Sequence, residues 1–436
     1  MSTKSWGVKV NLFDIAAVLL TLAALFGYVN HRFLRLEPTV GLMLIALVSS
    51  LSIILLDLLF PRLGVAELVR GYLSNIDFNE ALMHGMLGFL LFAGALHVDL
   101  DFFAQRKWAI VLLATGGLLI SLFLVGVLSK GLFTLLGLEA SWLACLIFGA
   151  LISPTDPIAV MGTLKTLQAP PSLEAKIAGE SLFNDGVAVV VFTGLVALLG
   201  TSAGHGSPAA HGADENLKAL DLAFLFLREA GGGTLLGLIT GYAAYRLMLS
   251  IDDYRVEVMI TLALVMASYS LCYSLHFSGP IAVVCAGLLI GNRGRALAMS
   301  EEVTDYLEKF WELVDEILNA VLFLLIGIEV LVISFNRNSI MAGLVVIVIV
   351  LLARWVSVSI PISMLRRGGA EFTPGAVRIL TWAGLRGGIS VALVLSLPPI
   401  SEKPILVTCT YSVVLFSILV QGMTIKKVLQ RFVVSD

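Results

Sequence analysis

Thirteen apolar stretches, each long enough to cross a bilayer, leave this 436-residue chain few folds to choose from. They lie near 10–29, 39–59, 80–98, 108–128, 141–164, 177–200, 221–247, 254–275, 279–292, 312–334, 339–363, 375–398 and 404–424. About 20 apolar residues match the hydrocarbon thickness of a bilayer. Lipid offers no partner to a free N–H or C=O, so such runs fold as helices. Only 14% of the residues are charged, against about 25% in soluble domains. The expected fold class is an all-α polytopic membrane protein of about 13 transmembrane helices. A net charge of -3 gives no basic excess for nucleic acid. Cys145, Cys272, Cys285 and Cys409 lie in apolar runs at no metal spacing, and no disulfide is expected. The first run has no small-residue cleavage site, so it reads as a span rather than a signal peptide.

The stretch 201–219, rich in Gly, Ser, Ala and His, is the one clear linker, and 61–77 and 297–308 read as short surface helices. Gly231-Gly232-Gly233 in the seventh stretch allows close helix contact or a bend. Assigning loops alternately to two sides places 17 of the Lys and Arg residues outside the spans on one side, among them Arg32, Arg35, Lys176, Arg366, Arg367, Lys426 and Lys427. The positive-inside rule then puts the C-terminus in the cytoplasm and the N-terminus outside.

Polar residues inside apolar runs carry the functional signal. A carboxylate at membrane depth costs on the order of 2.5–3.5 kcal/mol on insertion scales, so it is usually functional, paired or both. The sixth stretch reads Gly179-Glu180-Ser181-Leu182-Phe183-Asn184-Asp185-Gly186. On a helix Glu180 and Asn184 share one face, and Ser181 and Asp185 the next. The fifth stretch holds Ser153-Pro154-Thr155-Asp156-Pro157. Pro157 lacks an N–H and its ring meets the carbonyl of Ser153, so an α-helix cannot pass undisturbed. Interrupted helices of this kind form ion sites in transporters; the alternative is a plain proline kink with a capping Asp. Arg354, near the middle of the eleventh stretch, must find an anion or snorkel, and Glu180 is its natural partner. In the twelfth, Gly384-Leu385-Arg386-Gly387-Gly388 again suggests a break, with a cation to offset a half-helix C-terminus. Asp14 and Glu329 read as packing or helix-end groups, and Asp315, Glu316 and Asn319 as solvated or capping groups. The six histidines show no metal spacing.

The two broken stretches are seven apart. Two halves of six spans, 1–200 and 254–425, joined through 201–253 and followed by a tail at 426–436, would then be inverted repeats whose broken helices cross near the midplane.

Taken together and in order, Thr155-Asp156-Pro157, the Gly179–Gly186 stretch and Gly384–Gly388 resemble the bacterial sodium/proton antiporters of the monovalent cation:proton antiporter-1 class, the NhaP type. The resemblance spans essentially the whole chain. It implies a homodimer in the bacterial inner membrane that exchanges Na+ and Li+ for H+, with no cofactor. It implies that Asp185 carries both cation and proton, with Asp156, Ser181 and the carbonyl of Thr155 completing the Na+ shell. Asn184, where electrogenic relatives have a second Asp, implies electroneutral exchange. Glu180 with Arg354 would brace the core, and Arg386 the helix crossing. The chain departs from some relatives in carrying Ala93 where they place an acidic ligand, which implies a smaller or wetter cation shell. Burial favours the neutral form of a carboxylate, which would let proton and cation compete for Asp185 near physiological pH. A K+/H+ exchanger is the alternative within the class. An intramembrane aspartyl protease using Asp156 and Asp185 lacks a Gly-x-Gly-Asp motif, and a passive channel would need ligands ringed around a pore.

Overall fold

The computed structural model describes residues 12–60, 86–98, 100, 109–167, 169, 171–202, 219–329, 337–369, 372 and 375–433. Its regular structure is helical. The first part of the chain gives α1 (Leu12–Val29), α2 (Pro38–Leu59), α3 (Leu87–Leu96), α4 (Leu118–Leu135), α5 (Trp142–Ile152), α6 (Ile158–Thr166) and α7 (Pro171–Ser202). Then come α8 (Ala219–Met248), α9 (Tyr254–Leu275), α10 (Gly279–Leu289), α11 (Glu301–Glu329) and α12 (Arg337–Arg367). The chain ends with α13 (Ala376–Trp382), α14 (Gly388–Leu395), α15 (Lys403–Phe416) and α16 (Met423–Val433). Seven described helices are long and apolar enough to cross a membrane, and α3 and α5 are apolar but shorter. The remaining apolar stretches fall on helices that are broken or carry charge. The expected linker at 201–219 and the stretch 61–77 lie largely or wholly outside the described residues.

One boundary differs from the sequence reading. The segment 297–308 is not a separate surface helix, because α11 runs unbroken from Glu301 to Glu329. No Pro or Gly interrupts its first half, and Val303, Leu307 and Trp311 form one buried stripe at helical spacing. The ninth stretch begins at Gly279, as its apolar run does. Ser278 caps α10 by accepting from the Ile281 N–H, and Pro280 sits in the first turn, where its missing donor costs nothing. The glycine triplet makes no break: α8 is continuous, and a Cβ on Gly232 or Gly233 would run into Phe277 or the backbone at Ser278.

Four buried apolar clusters surround the centre of the bundle. One joins α4, α5, the end of α7, α12, α14 and α15. A second joins α1, α2, α11, α14 and α15, and a third α3, α8, α9, α10 and α11 around Trp311. The fourth joins α6, α7, α12, α13 and α16. The half-helices α5 and α14 thus pack into the first cluster and α6 and α13 into the fourth, so each broken helix passes from one cluster to the other. Outward faces carry exposed Leu, Phe, Val and Met side chains, including Phe123, Leu238, Met266, Leu344 and Leu352.

Candidate functional site

The two interruptions touch. Residues 153–157 separate α5 from α6, and residues 383–387 separate α13 from α14. Across the gap, the Asp156 N–H donates to the Leu385 carbonyl at 2.8 Å. Arg386 Nη1 donates to the carbonyls of Ser153 and Pro154 at 2.6 and 2.8 Å. Those carbonyls follow the end of α5, where a helix leaves its last acceptors unpaired, so the guanidinium sits on the negative end of the half-helix dipole. The Arg386 N–H donates to Ser417 Oγ at 2.8 Å, which fixes the turn to the segment after α15.

A second arginine does the same for α13. Arg354, on α12, donates through Nε and Nη2 to the Leu380 carbonyl at 3.3 and 3.2 Å, and through Nη1 to Glu180 on α7. Both side chains of this ion pair are almost fully buried. The motif glycine makes room for it: a Cβ on Gly384 would collide with the Arg354 guanidinium.

Asp156 lies between two half-helix N-termini. Its Oδ1 accepts from the Ile158 N–H at 3.0 Å, capping α6. Its Oδ2 lies against Gly387, the residue before α14, where a Cβ would overlap the carboxylate. Helix N-termini present partial positive charge, so two such ends flank the one anion. The capping role and a ligand role are compatible, because capping uses one oxygen.

The face of α7 that follows Glu180 holds the broken chain in place. Asn184 Nδ2 donates to Thr155 Oγ1 at 2.9 Å, and its Oδ1 accepts from the Thr155 N–H at 3.4 Å. Ser181 Oγ donates to the Thr155 carbonyl. All three residues are buried. Asp185, one turn beyond Ser181, is 8% exposed. It faces a cavity of ≈ 1670 Å³ that Thr155, Asp156, Ser181 and Ser390 also line. The cavity reaches the surface beside Arg35, Glu37 and Lys426. The charges of Asp185 and Asp156 act on each other across it. Ala93 lines the same cavity.

The structure therefore brings Asp156, Thr155, Ser181 and Asp185 to one cavity, with Asn184 behind Thr155 and the Glu180–Arg354 pair on the adjoining face. Sequence reasoning missed Ser390 in α14. It also placed Asp315 and Asn319 away from the site, although both line this cavity. Their i, i+3 spacing with Glu312 and Glu316, on one stripe of α11, was the signal available.

A polytopic helical bundle whose two interrupted helices cross at a carboxylate-lined cavity defines a secondary transporter. The comparisons give the particular family. The model of the sodium/hydrogen exchanger transmembrane family matches residues 19–431. The chain is 47% identical over 426 residues to the Na+/H+ antiporter NhaP of Pseudomonas aeruginosa, covering 96% of this chain and 97% of that protein. It is 34% identical over 433 residues to the Na+/H+ antiporter NhaH of Halobacillus aidingensis, covering 97% and 98%. In fold it is similar to the sodium proton antiporter MjNhaP1 of Methanocaldococcus jannaschii, with a TM-score of 0.72 at 17% identity over 97% of this chain and 98% of that one. The chain belongs to the sodium/hydrogen exchanger family, within its bacterial NhaP-type antiporters, which are transporters and not enzymes.

Proposed function

We propose that the chain exchanges Na+, and also Li+, for H+ one for one, with cation and proton competing for Asp185. The observation that carries this reading is the set of oxygens around one cavity: the Asp185 and Asp156 carboxylates, Ser181 Oγ and the Thr155 carbonyl. Hard oxygens suit an alkali cation. Two like charges in one partly desolvated cavity repel, and either a bound cation or a proton on Asp185 relieves that repulsion. Ser181 Oγ donates its proton to the Thr155 carbonyl, and each of the two oxygens keeps a lone pair with which to meet an ion. Asn184 is neutral and bound to Thr155, so one titrating carboxylate on this helix carries one proton per cation.

In this reading a loaded or protonated core crosses between the two sides of the membrane and the bare anion does not, which makes exchange obligate. The two inverted repeats, 1–200 and 254–425, each give a broken helix to a mobile core bundle, which moves against a dimer domain of outer helices within a homodimer. The protein sits in a bacterial inner membrane with its C-terminus in the cytoplasm. The cavity mouth, beside Arg35 and Lys426, then opens inward. An inward proton gradient drives cation efflux and supports pH and salt homeostasis.

The test is cation-driven proton flux in proteoliposomes with a trapped pH dye and a clamped potential, using Na+, Li+ and K+ pulses. Wild-type flux with Na+ and Li+ is expected to ignore the imposed potential and to vanish in Asp185→Asn. Flux that follows the potential overturns the one-for-one exchange. Flux with K+ alone replaces Na+ with K+ as the substrate.

A further inference from the structure

A smaller cavity of ≈ 650 Å³ opens beside the first, between the end of α1 and the start of α2. Gly27, Asn30, His31, Arg32, Arg35 and Leu42 line it, and among the described residues its wall holds no acid. The chain fixes the shape of this recess. After Val29 it winds through one wide π turn, Asn30–Leu34, a form frequent at functional sites. Buried Asn30 clamps the loop that follows: Nδ2 donates to the Leu36 carbonyl at 3.0 Å, and Oδ1 accepts from the Leu36 N–H at 3.2 Å. Arg35 ends the turn in the left-handed region, with φ 54°. That conformation suits Gly or Asn and disfavours other L residues, so the backbone does not explain an arginine there.

The chain does not neutralise the two arginines. Arg32 and Arg35 are exposed, and the ion pairs among the described residues lie elsewhere. Glu37, the nearest acid in sequence, caps α2 instead, accepting from Thr39 Oγ1 and from the Val40 N–H at 3.2 Å. One surface arginine facing water is ordinary. Two around one clamped recess, with the neighbouring carboxylate engaged elsewhere, suit a phosphate, which guanidinium groups bind through paired N–H donors. The depth of the recess says which phosphate. It lies at the last turn of the apolar span Phe13–Leu34, few of whose residues are buried, and Leu25, Tyr28 and Phe33 are exposed. An apolar face thus leads up to a basic end.

We propose that the recess holds the headgroup of an anionic phospholipid, with Arg32 and Arg35 on its phosphate and the acyl chains along α1. Basic pockets between spans on the cytoplasmic side bind such headgroups, and the proposed orientation puts this one on that side. Arg35 also lines the larger cavity, so the lipid sits where cations enter. Binding does not depend on exchange at Asp185, and the two readings fail separately.

The test is the unfolding midpoint of the purified full-length protein in uncharged detergent, titrated with phosphatidylglycerol, phosphatidylcholine or inorganic phosphate. Phosphatidylglycerol is expected to raise the midpoint, and the other two to leave it unchanged. Arg32→Gln with Arg35→Asn is expected to raise the phosphatidylglycerol concentration for half the shift about tenfold or more. Arg35→Asn alone suits the left-handed backbone, so its midpoint without lipid is expected to equal or exceed that of the wild type while its response to lipid weakens. Gly27→Leu blocks the recess with both arginines in place: a Cβ there meets nothing within 4 Å, so the added side chain fills open space, and the response is expected to fall. A response that survives in the double variant and in Gly27→Leu overturns the site, as does an equal response to phosphatidylcholine. An equal response to inorganic phosphate overturns the lipid in favour of a free anion. A double variant that turns monomeric without lipid overturns it in favour of a second copy of the chain.

Discussion

At the scale of single residues, the Glu180–Arg354 pair carries the largest electrostatic stake in the fold. Neither side chain is appreciably exposed, so removing one leaves an uncompensated charge, at a cost of about 3–5 kcal/mol. Arg354→Ala is therefore expected to lower the unfolding midpoint of the purified protein sharply, and also to free the Leu380 carbonyl. Replacing both residues, Glu180→Leu with Arg354→Met, is expected to recover part of the loss, because a buried pair is often no better than an apolar one of similar volume. A single variant as stable as the wild type would mean that water reaches the pair. The pairing was legible in the sequence because two opposite charges stand in apolar runs with no other outlet. The work of Asn184 on Thr155 was not. An Asn on a helix can turn to any neighbour, and only the packing of α7 against the broken segment selects Thr155. Asn319 escaped for a related reason: at the end of an acidic stripe it read as surface, and its burial comes from tertiary packing that no local pattern shows.

At the scale of elements, the broken helices show what local chemistry announces and what it omits. Two prolines or three glycines around a charge announce a break. They do not say which break crosses which, since the bond from Asp156 to Leu385 joins residues far apart in the chain. Three of the four half-helix C-termini are met by a cation. Arg386 serves α5, Arg354 serves α13, and Lys403 Nζ serves α14 through the carbonyls of Leu395 and Leu397 at 2.8 and 2.6 Å. Just before α15, Glu402 links this end to α5 by accepting from the Ser141 N–H at 3.3 Å, and it also accepts from Ser401 Oγ at 2.7 Å. Burial pushes its carboxyl up, but the hydrogen bonds from Ser401, its own backbone and Ser141 outweigh this and hold it below its ordinary value of 4.5. A lowered folded-state value stabilises above the unfolded one and loses that contribution as pH falls through the folded one. The difference in unfolding midpoint between wild type and Glu402→Gln is thus expected to be flat above pH 4.5 and to shrink below it. A difference that grows on acidification would reverse the assignment.

At the scale of the molecule, hydropathy alone made the helical membrane fold legible, because lipid leaves so little choice of structure. The cavity was not legible, because its walls come from α7, the break before α6, and α11, which no local pattern brings together. Orientation lies between these cases. It rests on charge outside the spans, and the fold gives that charge a definite place. The loop carrying Ser401 precedes α15, and Lys427 lies on α16 near the far end of the helical run Lys403–Arg431, so most of that run lies between the two. Both residues are exposed. If the positive-inside rule governs, Ser401→Cys is expected to react with a membrane-impermeant maleimide in intact cells, and Lys427→Cys only after permeabilisation. The native cysteines give a low background, since Cys145, Cys272 and Cys409 are buried. The reverse pattern would turn the cavity mouth outward. The acidic stripe on α11 would then face the outside of the cell, while the direction of net exchange would still follow the proton and cation gradients, because alternating access exposes the site to both sides in turn.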